Sequence, residues 1–146
     1  FSTLGEHDAA LADFDQVVHL NPELSSAYGN RGLAYRALKD YDASLSDLNE
    51  AIRLDPEYAL AYLNRGHVHA DKGEVEAAIA DYTHAIELDP GMIDAYINRG
   101  YFYRELGLNE EAISDFTQAI RLDPDSEVAE ELNRWVTELK NQSTDD

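Results

Sequence analysis

The chain has 146 residues and a formal charge of −19, set by 30 acidic against 11 basic side chains, with 44% hydrophobic residues and no cysteine. A surface this anionic repels phosphate backbones and lipid headgroups, so nucleic acid and membrane surfaces are disfavoured and neutral or basic polypeptides are the expected partners. Without cysteine there is no disulfide framework or thiolate chemistry, and no apolar run reaches the roughly 18 residues that membrane insertion needs.

Read from its start, the chain repeats itself. Asn-Arg-Gly stands at 30–32, 64–66 and 98–100, and the four prolines fall at 22, 56, 90 and 124, each step being 34 residues. A fixed period of this size marks one supersecondary unit copied along the chain, each copy burying its apolar face on the next. On this lattice residues 1–24 form a partial unit, 25–58, 59–92 and 93–126 three full units, 127–140 a capping helix and 141–146 a flexible tail. Phe1 falls on the position of Tyr35, His69 and Tyr103, inside a first helix that is mostly missing, and residues 8–20 are that unit's second helix.

Within a full unit, 61 to about 72 and 76 to about 88 carry apolar residues three and four apart and predict two antiparallel helices. Gly5, Gly73 and Gly107 stand where the first helix must stop, a place suited to a left-handed backbone; Lys39 takes that place in the second unit and makes its turn less favourable. Asn21, Asp55, Asp89 and Asp123 precede the prolines, which end the second helices. Small residues (Gly32, Gly66 and Gly100; Ala10, Ser44, Ala78 and Ala112) permit close helix approach. Tyr28, Tyr62 and Tyr96, with Phe14, Leu48, Tyr82 and Phe116, fill the spaces between as core.

Tyr62-x-x-Arg65-Gly66-x-x-His69, Ala78-x-x-x-Tyr82, Ala85 and Pro90, at a period of 34, resemble the tetratricopeptide repeat. The resemblance covers residues 1–126. Tyr replaces the usual Trp, and Arg the usual Leu before glycine. It implies an all-α fold, a right-handed superhelix of helix pairs whose concave face is lined by first helices. Residues 127–140, with the stripe Val128, Leu132, Trp135, Val136 and Leu139, read as the cap a solenoid needs. Asn141-Gln142-Ser143 is formally a glycosylation acceptor and is read as coincidence.

Catalytic chemistry finds no foothold. His67 and His69 point to different sides of one helix, and His7, His19 and His84 share no repeat position. No metal-ligand spacing, phosphate loop or nucleophile motif occurs, so neither an enzyme nor a cofactor is predicted.

Arg31, Arg65 and Arg99 take a normally apolar position, and sixteen residues later stand Asp47, Asp81 and Asp115. A hairpin brings such positions alongside, which predicts three ion pairs acting as structural glue, with anion binding as the other reading. Asp13 is the fourth acid of the series. The concave face that the resemblance implies carries Asn30, Leu33, Arg36, Leu60, Leu63, Asn64, His67, Asp94, Ile97, Asn98, Tyr101 and Arg104. There the asparagines either bond an extended peptide's backbone or satisfy neighbouring helices and water.

Some members of the family hold the acidic C-terminal tail of heat-shock chaperones with Lys, Asn and Arg. Here Gly29 and Asp94 stand where lysines are required, Leu33 where the first Asn is needed and Asn98 where the Arg is needed; only Asn64 matches, so that tail is not an expected ligand.

The sequence therefore predicts a non-catalytic scaffold that binds an extended segment in a groove. Alternatives are a homodimer through Leu11, Phe14 and Val18 of residues 8–20, or a docking arm of a larger enzyme. The charge is otherwise read as a means of keeping an extended helical surface soluble or, as the lesser reading, as a mark of a salt-rich habitat. Localisation is cytoplasmic only by default, since any targeting signal would precede Phe1.

Overall fold

A computed structural model describes the backbone of residues 2–142 and the side chains of 10–142. Eight helices are present among the described residues: α1 (Ser2–Leu20), α2 (Ser25–Ala37), α3 (Tyr41–Leu54), α4 (Ala59–Asp71), α5 (Val75–Leu88), α6 (Ile93–Glu105), α7 (Asn109–Leu122) and α8 (Glu127–Gln142). They divide into two compact units, Phe1–Leu88 with α1 to α5 and Asp89–Asp146 with α6 to α8. In the first, α2 pairs with α3, α4 with α5, and neighbouring hairpins meet through α1·α2, α3·α4 and α2·α4; in the second, α6 pairs with α7 and α7 carries α8.

Each full hairpin closes with the same hydrogen-bonded turn. The amide of Asp40 donates to the Tyr35 carbonyl and that of Lys39 to Arg36, both at 2.9 Å, and the same two bonds recur from Glu74 and Gly73 and from Leu108 and Gly107. This pattern needs one left-handed residue. Gly73 and Gly107 supply it at φ +76° and +74°, and Lys39 is driven to φ +62° despite its side chain. The expected turn at Gly5 is absent, for α1 runs through that position without a break.

The second helices stop before proline, where the preceding residue is extended: Asp55 has φ −139° and ψ 93°. Its carboxylate accepts from the Glu57 amide at 3.1 Å, and that of Asp89 from the Gly91 amide at 3.0 Å, so each aspartate builds the turn as well as ending the helix.

In the first unit Leu48, Val68, Ala78, Tyr82 and Ala85 are fully buried. A Cβ on Gly66 would lie 2.7 Å from Tyr82 Cε1 and 2.9 Å from Cδ1, so hydrogen alone lets the ring lie flat against α4. Ser44 stands where the other full units have alanine, and its hydroxyl donates to the Gly32 carbonyl at 2.6 Å. In the second unit Phe116 fills the same role beneath Gly100 and meets Trp135 at 5.3 Å between ring centres. Ala129, Leu132, Val136 and Leu139 seat α8, while Val128 is exposed: in the first turn of α8 the neighbouring Ala129 takes the inward position.

The stripe proposed for dimerisation is not an open face. α1 packs on α2, and Leu11, Phe14 and Val18 are half-buried; among the described side chains of α1, Val17 and Leu20 are the large apolar ones left exposed.

Candidate functional site: the first-helix face

The hairpin geometry places each arginine against its aspartate. Arg31 Nε and Nη2 donate to Asp47 at 2.7 and 2.7 Å, Arg65 to Asp81 at 2.8 and 2.6 Å, and Arg99 to Asp115 at 2.8 and 2.7 Å. All three pairs are two-pronged, with the aspartates buried and the arginines mostly shielded. Bonding to the aspartates, opposed by burial, raises all three guanidinium groups above their ordinary pKa.

Two of these arginines also reach backwards. Arg31 Nη1 donates to Asp15 on α1 at 2.9 Å and Arg65 Nη1 to Asn49 on α3 at 2.7 Å, so each binds its own hairpin and the preceding second helix together. Asp15, itself exposed, thus meets an arginine from α1, while Asp13, the fourth acid of the series, is also exposed. The signal was available, because Asp15 and Asn49 lie sixteen residues before Arg31 and Arg65, as Asp47 and Asp81 lie sixteen after.

With the arginines held in the fold, the outer face of α2 and α4 in the first unit is Asn30, Leu33, Leu60, Asn64 and His67. Leu33 is 38% and Leu60 49% exposed. Asn30 is exposed and Asn64 half-buried, while His67 packs edge-on against Tyr82. Leu63 departs from the expected face. It is 5% exposed because it lies beside Tyr62 and one turn before Gly66, inside the buried stripe of α4. Arg36 departs as well: Nε and Nη2 hold Asp71 at 2.6 and 3.3 Å, tying α2 to the end of α4.

In the second unit Asp94 and Tyr101 are exposed on α6 and Ile97 is half-buried. Asn98 donates to the Asp94 carbonyl of its own helix at 2.7 Å, which satisfies part of its amide locally. Arg104 is drawn to the cap, its guanidinium 4.3 Å from the Trp135 ring centre and 5.3 Å from that of Tyr101. Among the described residues no helix is long and apolar enough to cross a membrane, and no group of three or more His, Asp or Glu could hold a metal ion.

Antiparallel helical hairpins at a 34-residue period, wedged by glycine and closed by one turn type, define a helical-repeat protein. Residues 32–73 match the family model described as TPR repeat, and residues 59–92 and 93–126 each match the one described as tetratricopeptide repeat; the chain belongs to the tetratricopeptide-repeat family. Its fold class is all-α, and the solved structures it is similar to are superhelical TPR repeat domains. Repeats of this family are generally non-catalytic platforms for protein–protein interaction, and they bind protein or peptide partners.

Among solved structures the chain is similar to MamA, with 31% identity and a TM-score of 0.72 over 83% of this chain; it spans 66% of the length of that protein. It is similar to the TPR domain of Arabidopsis OM64, with 27% identity and a TM-score of 0.73, covering 80% of this chain and 96% of that one. The first TPR of Spaghetti (RPAP3), solved with the HSP90 peptide SRMEEVD, shares the fold at 20% identity, with a TM-score of 0.73 over 83% of this chain and 94% of that one. No curated protein matches the sequence significantly.

Proposed function

We propose that the protein is a scaffold that holds an extended segment of a partner polypeptide against the α2 and α4 face of its first unit. The observation that carries this reading is the pair Leu33 and Leu60, left exposed alongside Asn30 and Asn64, while Tyr62, Leu63 and Val68 of α4 are buried. Leucines of this kind gain by burying a partner's apolar side chains, at about 25 cal/mol per Å². The asparagines can donate to and accept from its main chain.

The acidic tail bound by Spaghetti is not the expected ligand. At the positions that would need lysine, Gly29 is closed off by Tyr58, whose Cε1 lies 3.0 Å from where a Cβ would stand, and Asp94 carries the opposite charge. A net charge of −19 favours a neutral or basic segment along most of the surface.

Peptide display against the whole chain, followed by fluorescence anisotropy of the selected peptides, tests this. The proposal expects neutral or basic sequences with spaced apolar residues, weakened at least tenfold by Leu60→Glu with Asn64→Ala. Selection of SRMEEVD-like acidic tails, or binding indifferent to that double change, contradicts it.

A further inference from the structure

At the edge of the same face, beside the turn from α2 to α3, lies an open hollow of about 350 Å³ lined by Leu33, Arg36, Ala37, Lys39, Tyr41 and Asp71. We infer that this hollow is a subsite for one acidic side chain, a glutamate or aspartate within the partner segment, received by Lys39 and Arg36 while the neighbouring apolar residue packs on Leu33 and Tyr41. The inference rests on the peptide-binding reading above and adds a position and a direction to it.

Three observations on this chain converge. Lys39 holds a left-handed backbone where Gly73 and Gly107 close the other two full hairpins, although glycine adopts that conformation without strain. Backbone strain of this kind persists where the surroundings over-determine it and gathers at ligand-binding positions. Second, the lining itself carries two cations, Arg36 and Lys39, against the one carboxylate of Asp71, with Asp40, Asp42 and Glu74 in the flanking turns. Of the six basic residues within 1–88 (Arg31, Arg36, Lys39, Arg53, Arg65 and Lys72), Arg36 and Lys39 line the hollow and Lys72 follows directly on its Asp71.

Third, the one carboxylate in the lining is already matched. Asp71 is held by Arg36 through Nε and Nη2, and Lys72 is engaged with Asp42 at 3.4 Å and Glu74 at 3.5 Å. Lys39 is exposed and makes no ion pair among the described residues, and Arg36 is about one-third exposed. An incoming carboxylate therefore meets a lysine ammonium with no competing partner, beside a guanidinium that can share it. Leu33 and Tyr41 give the adjoining residue an apolar floor.

The test is an NMR titration of the whole chain, labelled with ¹⁵N, with two probes: acetyl-Leu-Glu-Leu-amide and acetyl-Leu-Gln-Leu-amide. The inference expects shifts at the amides of Leu33, Lys39 and Tyr41 and roughly fivefold tighter binding of the glutamate probe, falling with added salt. Lys39→Arg keeps that preference. Lys39→Gly abolishes it while unfolding at higher urea than the parent, which separates a lost ligand contact from a lost fold. Equal affinity for the two probes, a preference that survives Lys39→Gly, or no shift at these amides overturns the inference. If both probes bind equally and shift Leu60 and Asn64, the peptide-binding reading stands and the acidic subsite alone falls.

Discussion

Arg65 and Asp81 allow a quantitative test of what the arginines do. Their two hydrogen bonds of 2.8 and 2.6 Å join side chains that are 23% and 8% exposed, and Arg65 adds a 2.7 Å bond to Asn49. Removing one partner of a fully buried pair costs about 3–5 kcal/mol, because the remaining charge is stranded. The edge of Arg65 is wet, which lowers the expectation for Arg65→Leu to about 2–3 kcal/mol, with Asp81 left behind almost without solvent. Arg65→Leu with Asp81→Leu removes both charges and adds apolar volume, and is expected within about 1 kcal/mol of the parent. With a similar cost for Asp81→Leu, urea unfolding followed at 222 nm across the four proteins of this cycle gives the coupling directly, with about 3 kcal/mol or more expected. A single change costing under about 0.5 kcal/mol, or a double change as damaging as the sum of the singles, refutes the reasoning.

Three further outcomes follow from particular contacts. Gly66→Ala forces a methyl to within 2.7 Å of Tyr82 Cε1 and is expected to destabilise by about 1–3 kcal/mol; a neutral result in urea would mean that the ring yields freely. Lys39→Gly relieves a left-handed side chain, offset by greater freedom of the unfolded chain, for a net gain of about 0.5–1 kcal/mol in the same assay; a loss would show that the turn is not strained. The hydrogen bond from His69, assisted by nearby Lys72, holds the Glu74 carboxyl below its ordinary value of 4.5. A depressed folded pKa gives stability that is complete above the unfolded value and is lost as pH falls through the folded one. Melting temperature is therefore expected to drop below pH 4.5, less steeply in Glu74→Gln, and an identical acid limb in the variant would contradict this.

Much of this fold was legible because the sequence states it three times. Proline, glycine and small-residue positions at one period fix where helices stop and where they touch, and a sixteen-residue offset across a short turn is enough to bring Arg31, Arg65 and Arg99 to their aspartates. The face was less legible. Leu63 is one residue from Asn64, yet that rotation of about 100° carries it into the core, and the pattern of one helix does not say how far its neighbour's cover extends. Arg36 finds Asp71 across 35 residues, and Arg104 finds Trp135 on the cap; both depend on how one hairpin settles on the next helix, which the repeat unit by itself leaves open. Gly5 shows the opposite failure: a glycine at the turn position of the lattice lies inside α1 and makes no turn.

The central claim is that Leu33 and Leu60 meet the partner. Methyl cross-saturation from an unlabelled, display-selected peptide to the labelled chain measures this directly. The account predicts intensity loss at the methyls of Leu33 and Leu60, with fully buried Leu48 spared. Saturation centred on Val17 and Leu20 of α1, with Leu33 and Leu60 untouched, would contradict it.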